Sequence, residues 1–242
     1  MAIHEKVQPI TSGQVRELSA ALSRAIPLEM SSDVAQGWIA NQGALANILK
    51  RELVPSTDYS VMLADWQAFY QTFLGCGVVF SGIRIPEKRT CFDRLIVVAK
   101  GLTPNKVFEA HQRNNIPCWR YYDNLDSAVT HNDRNPTEHY VVWVRDRVEA
   151  DEEHKNKSAN EIQKQNIKGI TLLERMIFGL KYWSETGNHL DTENITLCTG
   201  SRYGAGHLPN VDWSRHDAEV SVGFYGLDDS DDILRVREVV SF

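Results

Sequence analysis

The loop-rich region between Gly187 and Asp217 holds the side chains best suited to bind a metal ion. It contains three histidines and three aspartates, and imidazole and carboxylate groups are common ligands of zinc and manganese. The candidate ligands are His189, Asp191, His207 and His216. A divalent metal bound there would lower the pKa of a water molecule for hydrolysis, with Glu174 or Asp212 as the base. No pair has a familiar ligand spacing, so solvated or backbone-bonded histidines are the more ordinary interpretation.

An aromatic and basic segment, CWRYY, offers a second kind of chemistry. Its rings can stack on a ligand while its arginine binds an anionic group. The Gly- and Ser-containing loop from Thr199 to His207 adds another arginine, suited to a phosphate or a carboxylate. Packing of the rings in a core is the ordinary alternative. The candidate binding residues are Trp119, Arg120, Tyr121, Tyr122 and Arg202.

The segment VEADEEH, residues 148–154, packs four carboxylates and a histidine into seven positions. On a helix, Asp151 and His154 would share one face, as a metal site requires. The same helix would align Asp151 with Lys155 and Glu153 with Lys157 in the favourable acid-before-base order. These ion pairs explain the residues without a ligand. We therefore predict a solvated helix face.

Residues 1–75 are predicted to form a helical region, because apolar residues recur at intervals of three and four. A capping box begins at Thr11, and the stripe that follows it is expected to face a core. A second helix is interrupted near Asn41 and then resumes. A third, from about Asp58 to Leu74, ends at Gly75.

Residues 76–242 are predicted to form a mixed α/β region with a β-rich C-terminal tail, which makes the fold class α+β. Strand-like runs occur at GVVFSGIRI, RLIVVAK, HYVVWVRD, ITLCT, AEVSVGFYG and ILRVREVV. Capping boxes at Ser158 and Thr171 predict two further helices, and Thr103-Pro104 begins another. The hydrophilic residues 150–169 are expected to form a surface connection. A single continuous domain stays an open alternative.

The bulk composition limits the function classes. A net charge of −6 over 242 residues argues against a surface that follows a polyanion, so nucleic acid is a secondary alternative. It depends on the CWRYY segment and on a loose helix-turn-helix pattern that ends in Lys50 and Arg51. The four cysteines lack metal-site spacing and are expected to be reduced thiols. No run is long and apolar enough for a membrane span. We expect a soluble cytoplasmic protein without a membrane partner.

The segments LSAALSRAIPLEMSSDVAQGWI, FDRLIVVAKGLT, WVRDRVEADEE and LCTGSRY resemble a group of uncharacterised bacterial hypothetical proteins. The resemblance implies a bacterial intracellular setting and brings no activity with it. No complete catalytic set and no cofactor motif is evident, although a divalent metal stays open. The sequence favours a non-catalytic binding or regulatory protein with an unknown protein or small-molecule partner. A metal-assisted hydrolase or nuclease and a nucleic-acid-binding protein are the alternatives.

Overall fold

The computed structural model describes residues 10–53, 59–204 and 206–242. The chain divides into two compact units, with the boundary between Asp58 and Tyr59. The sequence pattern predicted the boundary between the helical region and the mixed α/β region later, between residues 75 and 76. The difference is the third predicted helix, which lies in the second unit.

The first unit is helical. The capping box at Thr11 is present, because the Gln14 backbone N–H donates to the Thr11 hydroxyl and the Gln14 side chain accepts from the Thr11 backbone N–H. The expected break near Asn41 is also present. Its helices are α1 (Ser12–Ala25), α2 (Ser32–Ala40) and α3 (Gln42–Leu53). The prediction that the α1 stripe is buried is wrong, since Val15 is 48% exposed and Ile26 59% exposed. The side chains of Lys50 and Arg51 lie outside the described residues.

The second unit begins with α4 (Ser60–Phe69), which continues as a π-helical turn, Tyr70–Leu74. Gly75 ends this helix in the left-handed conformation, at φ 68°, where the absence of a Cβ removes the steric penalty. The helix lies against the segment that contains Val97 and Ala99, because the Tyr70 hydroxyl donates to Val97 O at 2.9 Å and accepts from Ala99 N at 3.0 Å. These buried contacts explain why the helix belongs to the second unit.

Two short sheets complete one side of the core. Strands β1 (Arg94–Val98) and β4 (Tyr140–Val144) pair antiparallel and are almost wholly buried, as their apolar runs predict. Strands β3 (Val129–Asn132) and β6 (Ser201–Tyr203) form the second antiparallel pair. The predicted strand at residues 77–85 is wrong. This segment is irregular, with a turn at Gly82 (φ 70°).

The main sheet has five strands: β2 (Cys118–Arg120), β5 (Ile195–Leu197), β7 (Leu208–Ser214), β8 (Glu219–Tyr225) and β9 (Leu234–Val236). Their order across the sheet is β2-β8-β7-β5-β9. The outer pairs β2–β8 and β5–β9 are parallel, whereas β7 is antiparallel to both β8 and β5. The expected β-rich tail is therefore this sheet.

Three helices of the second unit follow their predicted start signals, and a fourth, the short helix Leu125–Ala128 capped by Asn124, was not predicted. The capping boxes at Thr171 and Ser158 are both formed, and Thr103 caps the helix that Pro104 begins. The helices are α5 (Pro104–Arg113), α6 (Leu125–Ala128), α7 (Ala159–Lys164) and α8 (Leu172–Thr186). The fold is α+β, as predicted. Within the described part of the chain, no helix combines the length and the apolar character needed to cross a membrane.

Many residues of the segment 150–169 are exposed, as a surface connection requires, but others anchor it in the interior. Asp151, His154 and Ser158 are buried, and α7 packs Ala159 and Ile162 into a small core with β5 and β9. Instead of a helix, VEADEEH forms an irregular turn that includes one turn of 3-10 helix at residues 152–154. The solvated-face prediction is therefore wrong for Asp151 and His154. Asp151 pairs with Arg145, six positions away, and both Asp151 and His154 contact Glu238 from the C-terminal tail.

Candidate functional site

The outer face of the five-stranded sheet carries an open groove of about 590 Å³. Side chains alternate between the two faces of a strand, so the polar residues Asn210, Asp212 and Ser214 of β7 share this face. In the register of β7 and β8, Asp212 lies opposite Ser221. The groove is lined by Trp119, Tyr121, Ile195, Asn210, Asp212, Ser214, Asp217, Glu219, Ser221, Gly223, Phe224 and Tyr225.

Aromatic rings form one wall of the groove. Trp119 and Tyr121 expose 45% and 53% of their surface, which is unusual for large rings in a folded domain. Tyr121 packs edge-on against Phe224, with ring centroids 4.6 Å apart. Tyr121 also contacts Tyr122, which packs against Tyr203 at 4.7 Å. Tyr121 is thus supported by Phe224 and Tyr122, and Trp119 packs edge-on against Tyr121.

Three carboxylates give the groove a negative potential. They belong to Asp212, Asp217 and Glu219. Burial raises the pKa of Asp212 to about 6, and the negative charge of Asp191 also raises it. The other described lining residues include neither lysine nor arginine. At neutral pH the groove therefore presents three negative charges beside exposed aromatic faces.

Asn210 and Gly223 fit together at the floor of the groove. Asn210 is 4% exposed, and its Nδ2 donates to Asp212 Oδ1 at 3.2 Å. Its Oδ1 has no hydrogen-bond partner among the described residues. A Cβ on Gly223 would come within 2.9 Å of this oxygen, so the glycine makes room for the amide that orients Asp212.

A separate cluster of Asp151, His154 and Glu238 has the donor set of a metal site. One ligand atom from each residue lies within 4.8 Å of the others, and this is the one such group within the described ranges. His154 Nε2 lies 3.4 Å from Glu238 Oε2. The i, i+3 pair seen in the sequence therefore does meet, but its third member comes from the tail.

Arginines already compensate this cluster. Arg145 donates to Asp151 Oδ2 at 2.6 Å and to Glu238 Oε2 at 3.0 Å, and Arg89 also pairs with Glu238. Burial opposes ionisation of Glu238, but hydrogen bonds from His154, Arg89 and Arg145 lower its pKa to about 2. A cation would have to displace these guanidinium groups. The cluster therefore suits an ion-pair network better than a metal site.

The four predicted metal ligands do not converge. All four are among the described residues, but no three of them have ligand atoms that lie within 4.8 Å of one another. The His189 ring stacks on Trp213, with centroids 3.6 Å apart. His207 packs against Phe224, and His216 lies exposed beside Asp217.

Asp191 pairs with two arginines, whereas the sequence predicted a metal ion as its partner. Its buried carboxylate accepts hydrogen bonds from Arg175 Nε at 2.8 Å and from Arg237 Nη2 at 2.6 Å. Burial alone would raise the pKa of Asp191, but the two arginines hold it below its usual value. Asp191 thus neutralises two buried cations, and the four predicted ligands form no cluster among the described residues.

The five predicted binding residues separate into three places. Trp119 and Tyr121 line the groove, whereas Tyr122 packs behind it. Arg120 turns away, because its Nη1 donates to Asn105 Oδ1 and its guanidinium lies over the Phe108 ring. Arg202 lines a different cavity.

The sequence reasoning missed Asn210 and Glu219 as groove residues. The signal for them was the alternation of polar and apolar residues along β7 and β8, which predicts one polar face. Comparison with known proteins adds nothing, since no protein-family model, curated protein or solved structure matches the chain.

Proposed function

We propose that the protein is a non-catalytic binding protein whose groove takes a basic segment of a protein partner. The observation that carries the proposal is that the exposed rings of Trp119 and Tyr121 lie beside three carboxylates, with no lysine or arginine among the described lining residues. An aromatic face attracts an ammonium or guanidinium group through the ring quadrupole. The carboxylates then provide charge-assisted acceptors for the same groups.

The energies indicate a partner with several positive charges. A cation over an exposed ring gains about 0.5–1 kcal/mol, and an exposed ion pair gains about 0.2–1 kcal/mol. Micromolar affinity needs about 8 kcal/mol. A single lysine or arginine is therefore not enough, whereas an extended segment with several of them can use the whole groove. The groove disfavours nucleic acid, because phosphates would meet Asp212, Asp217 and Glu219.

We place this binding in the cytoplasm, as the sequence suggested. Cys76, Cys91, Cys118 and Cys198 are free thiols. A reducing compartment keeps such thiols in this form.

The test is isothermal titration of the protein with a nine-residue peptide of alternating lysine and serine, and with its lysine-to-glutamate counterpart. We expect the basic peptide to bind and the acidic one not to bind. Replacing Trp119 by alanine should weaken binding about two- to fivefold, the loss of one exposed cation–π contact. Trp38→Ala is the matched control, since Trp38 is also partly exposed but lies in the first unit.

A second pair of variants tests the charges. Asp217→Asn with Glu219→Gln should weaken binding about two- to thirtyfold, because two exposed ion pairs are lost. Glu138→Gln with Asp232→Asn removes the same charge elsewhere and should change affinity little. Equal weakening by both double variants would mean that net charge, not the groove, attracts the peptide. Binding of spermine as tight as that of the peptide would point to a small-molecule partner instead and would contradict the proposal.

A further inference from the structure

A second cavity, of about 300 Å³, lies between helix α7 and the β3–β6 pair. Its volume is at the small end of the range for ligand sites, about 300–1,000 Å³. It shares no lining residue with the groove. The lining residues are His131, Asp133, Ala159, Ile162, Gln163, Ile167, Thr199 and Arg202. We call it the Arg202 cavity.

The guanidinium of Arg202 is fixed on one side and free on the other. Its Nη1 donates to Thr199 O at 2.6 Å and to Ser201 O at 2.8 Å. Neither its Nε nor its Nη2 donates to a described residue, and Arg202 makes no ion pair with a described carboxylate. Burial lowers the pKa of Arg202, which reflects a charge without full compensation. Two donors therefore stay available for a planar acceptor such as a carboxylate.

Asp133 brings the opposite charge into the same cavity. Its backbone N–H donates to Gly200 O at 2.8 Å, which fixes the residue beside β6. Its carboxylate lies 3.5 Å from His131 Nε2, and the two side chains are about half exposed or more. Asp133 acts on Arg202 through its field but does not pair with it directly. One positive and one negative group thus face the cavity separately.

The remaining wall is mixed. Gln163 and Thr199 are polar, and the apolar part comes from helix α7 and the segment that follows it. Ala159 and Ile162 are buried side chains of α7, and Ile167 packs against the same small core. The capping box between Ser158 and Glu161 fixes the start of this helix. An apolar group in the cavity would meet a preformed surface rather than a mobile loop.

We infer that the Arg202 cavity binds a small zwitterion of the α-amino acid class with an apolar side chain. The ligand carboxylate pairs with Arg202, its ammonium group pairs with Asp133, and its side chain lies against Ile162 and Ile167. A simple anion would be repelled by Asp133, and a simple cation by Arg202. The ligand that satisfies both groups carries one positive and one negative charge.

The test is isothermal titration with L-leucine, N-acetyl-L-leucine and L-leucinamide. The two derivatives each remove one charge of the zwitterion. We expect L-leucine to bind and each derivative to bind at least tenfold more weakly. Glycine, which lacks the apolar side chain, should also bind more weakly than L-leucine.

Two variants assign the charges. Arg202→Gln should abolish binding of L-leucine, and Asp133→Asn should weaken L-leucine while it improves binding of N-acetyl-L-leucine. Arg202→Lys keeps the charge but loses the two-pronged geometry, and it should weaken L-leucine about tenfold. If Arg202→Gln does not fold, the Arg202→Lys variant tests the role of Arg202 instead. Arg215→Gln and Asp232→Asn are the matched controls for charge loss and should leave binding unchanged.

The outcomes separate this inference from the groove proposal, because Trp119→Ala should bind L-leucine as the unchanged protein does. Equal binding of L-leucine and N-acetyl-L-leucine would overturn the role of Asp133. Retained binding in Arg202→Gln would overturn the role of Arg202. No heat and no thermal shift with millimolar L-leucine, L-valine or L-phenylalanine would overturn the inference as a whole.

Discussion

Replacement of Asp191 by asparagine tests the buried charges of the second unit. The Asp191 carboxylate has no solvent exposure and is the counter-charge of Arg175 and Arg237. Asparagine keeps the shape but leaves two buried guanidinium groups without an ion pair among the described residues. Removal of one partner from a buried ion pair costs about 3–5 kcal/mol. We expect the free energy of unfolding to fall by at least that amount.

The assay is urea denaturation followed by tryptophan fluorescence. With a slope of about 2 kcal/mol per molar urea, the midpoint should fall by about 2 M. Glu193→Gln is the control, since Glu193 lies two positions away and pairs with Arg215 at the surface. An exposed pair contributes about 1 kcal/mol or less. The reasoning is refuted if the Asp191 and Glu193 variants unfold at the same urea concentration.

The acid dependence gives an independent check on Asp191. Because the folded protein holds its pKa below the ordinary value of about 3.9, the ionised carboxylate contributes stability above that pH. This contribution is lost as the pH falls through the folded-state pKa. The asparagine variant lacks this acid-dependent part. Its stability should therefore change less than that of the unchanged protein between pH 5 and pH 2.

Three further changes have defined outcomes. Burial raises the pKa of Asp212 to about 6, so basic peptide should bind more tightly at pH 7 than at pH 5. Asp212→Asn should reduce this difference in affinity. An equal pH effect in the variant would exclude Asp212 as its source. Glu238→Gln should cost roughly 1–3 kcal/mol in urea denaturation, since hydrogen bonds to a charged group are lost; an unchanged midpoint would mean that the network contributes nothing. Gly223→Ala should lower the free energy of unfolding by about 1–3 kcal/mol, because the added methyl group overpacks against Asn210, and it should also weaken peptide binding. A variant as stable as the unchanged protein would contradict the close approach of Gly223 to Asn210.

Local sequence signals predicted the elements that depend on local contacts. The capping boxes at Thr11, Ser158 and Thr171 all form, because their hydrogen bonds join residues three positions apart. The buried strands β1 and β4 were also predicted, since a continuous apolar run needs cover on both faces. The α+β class follows from these elements alone.

Long-range contacts explain the parts that the sequence could not predict. Asp151 and His154 have neighbouring lysines that explain a solvated helix equally well, but their partner Glu238 lies more than 80 positions away. Asp191 resembled a metal ligand for the same reason, because Arg237 is equally remote in sequence. For the groove, Trp119 and Tyr121 were predicted, whereas the carboxylates depend on the register of β7 and β8.

Because Arg237 lies near the end of the sequence, the buried ion pairs of the second unit can form only late in synthesis. The ribosome releases the chain from its N-terminus, so β5, β7 and β8 emerge before β9. Until then, Asp191 lacks one of its two cations and the edge of β5 is unpaired. Arg237 brings the missing charge together with β9, and Val240 then pairs with Trp143 in the other sheet. While these residues are still inside the ribosome, the nascent chain exposes an open sheet edge. Chaperones protect surfaces of this kind from aggregation.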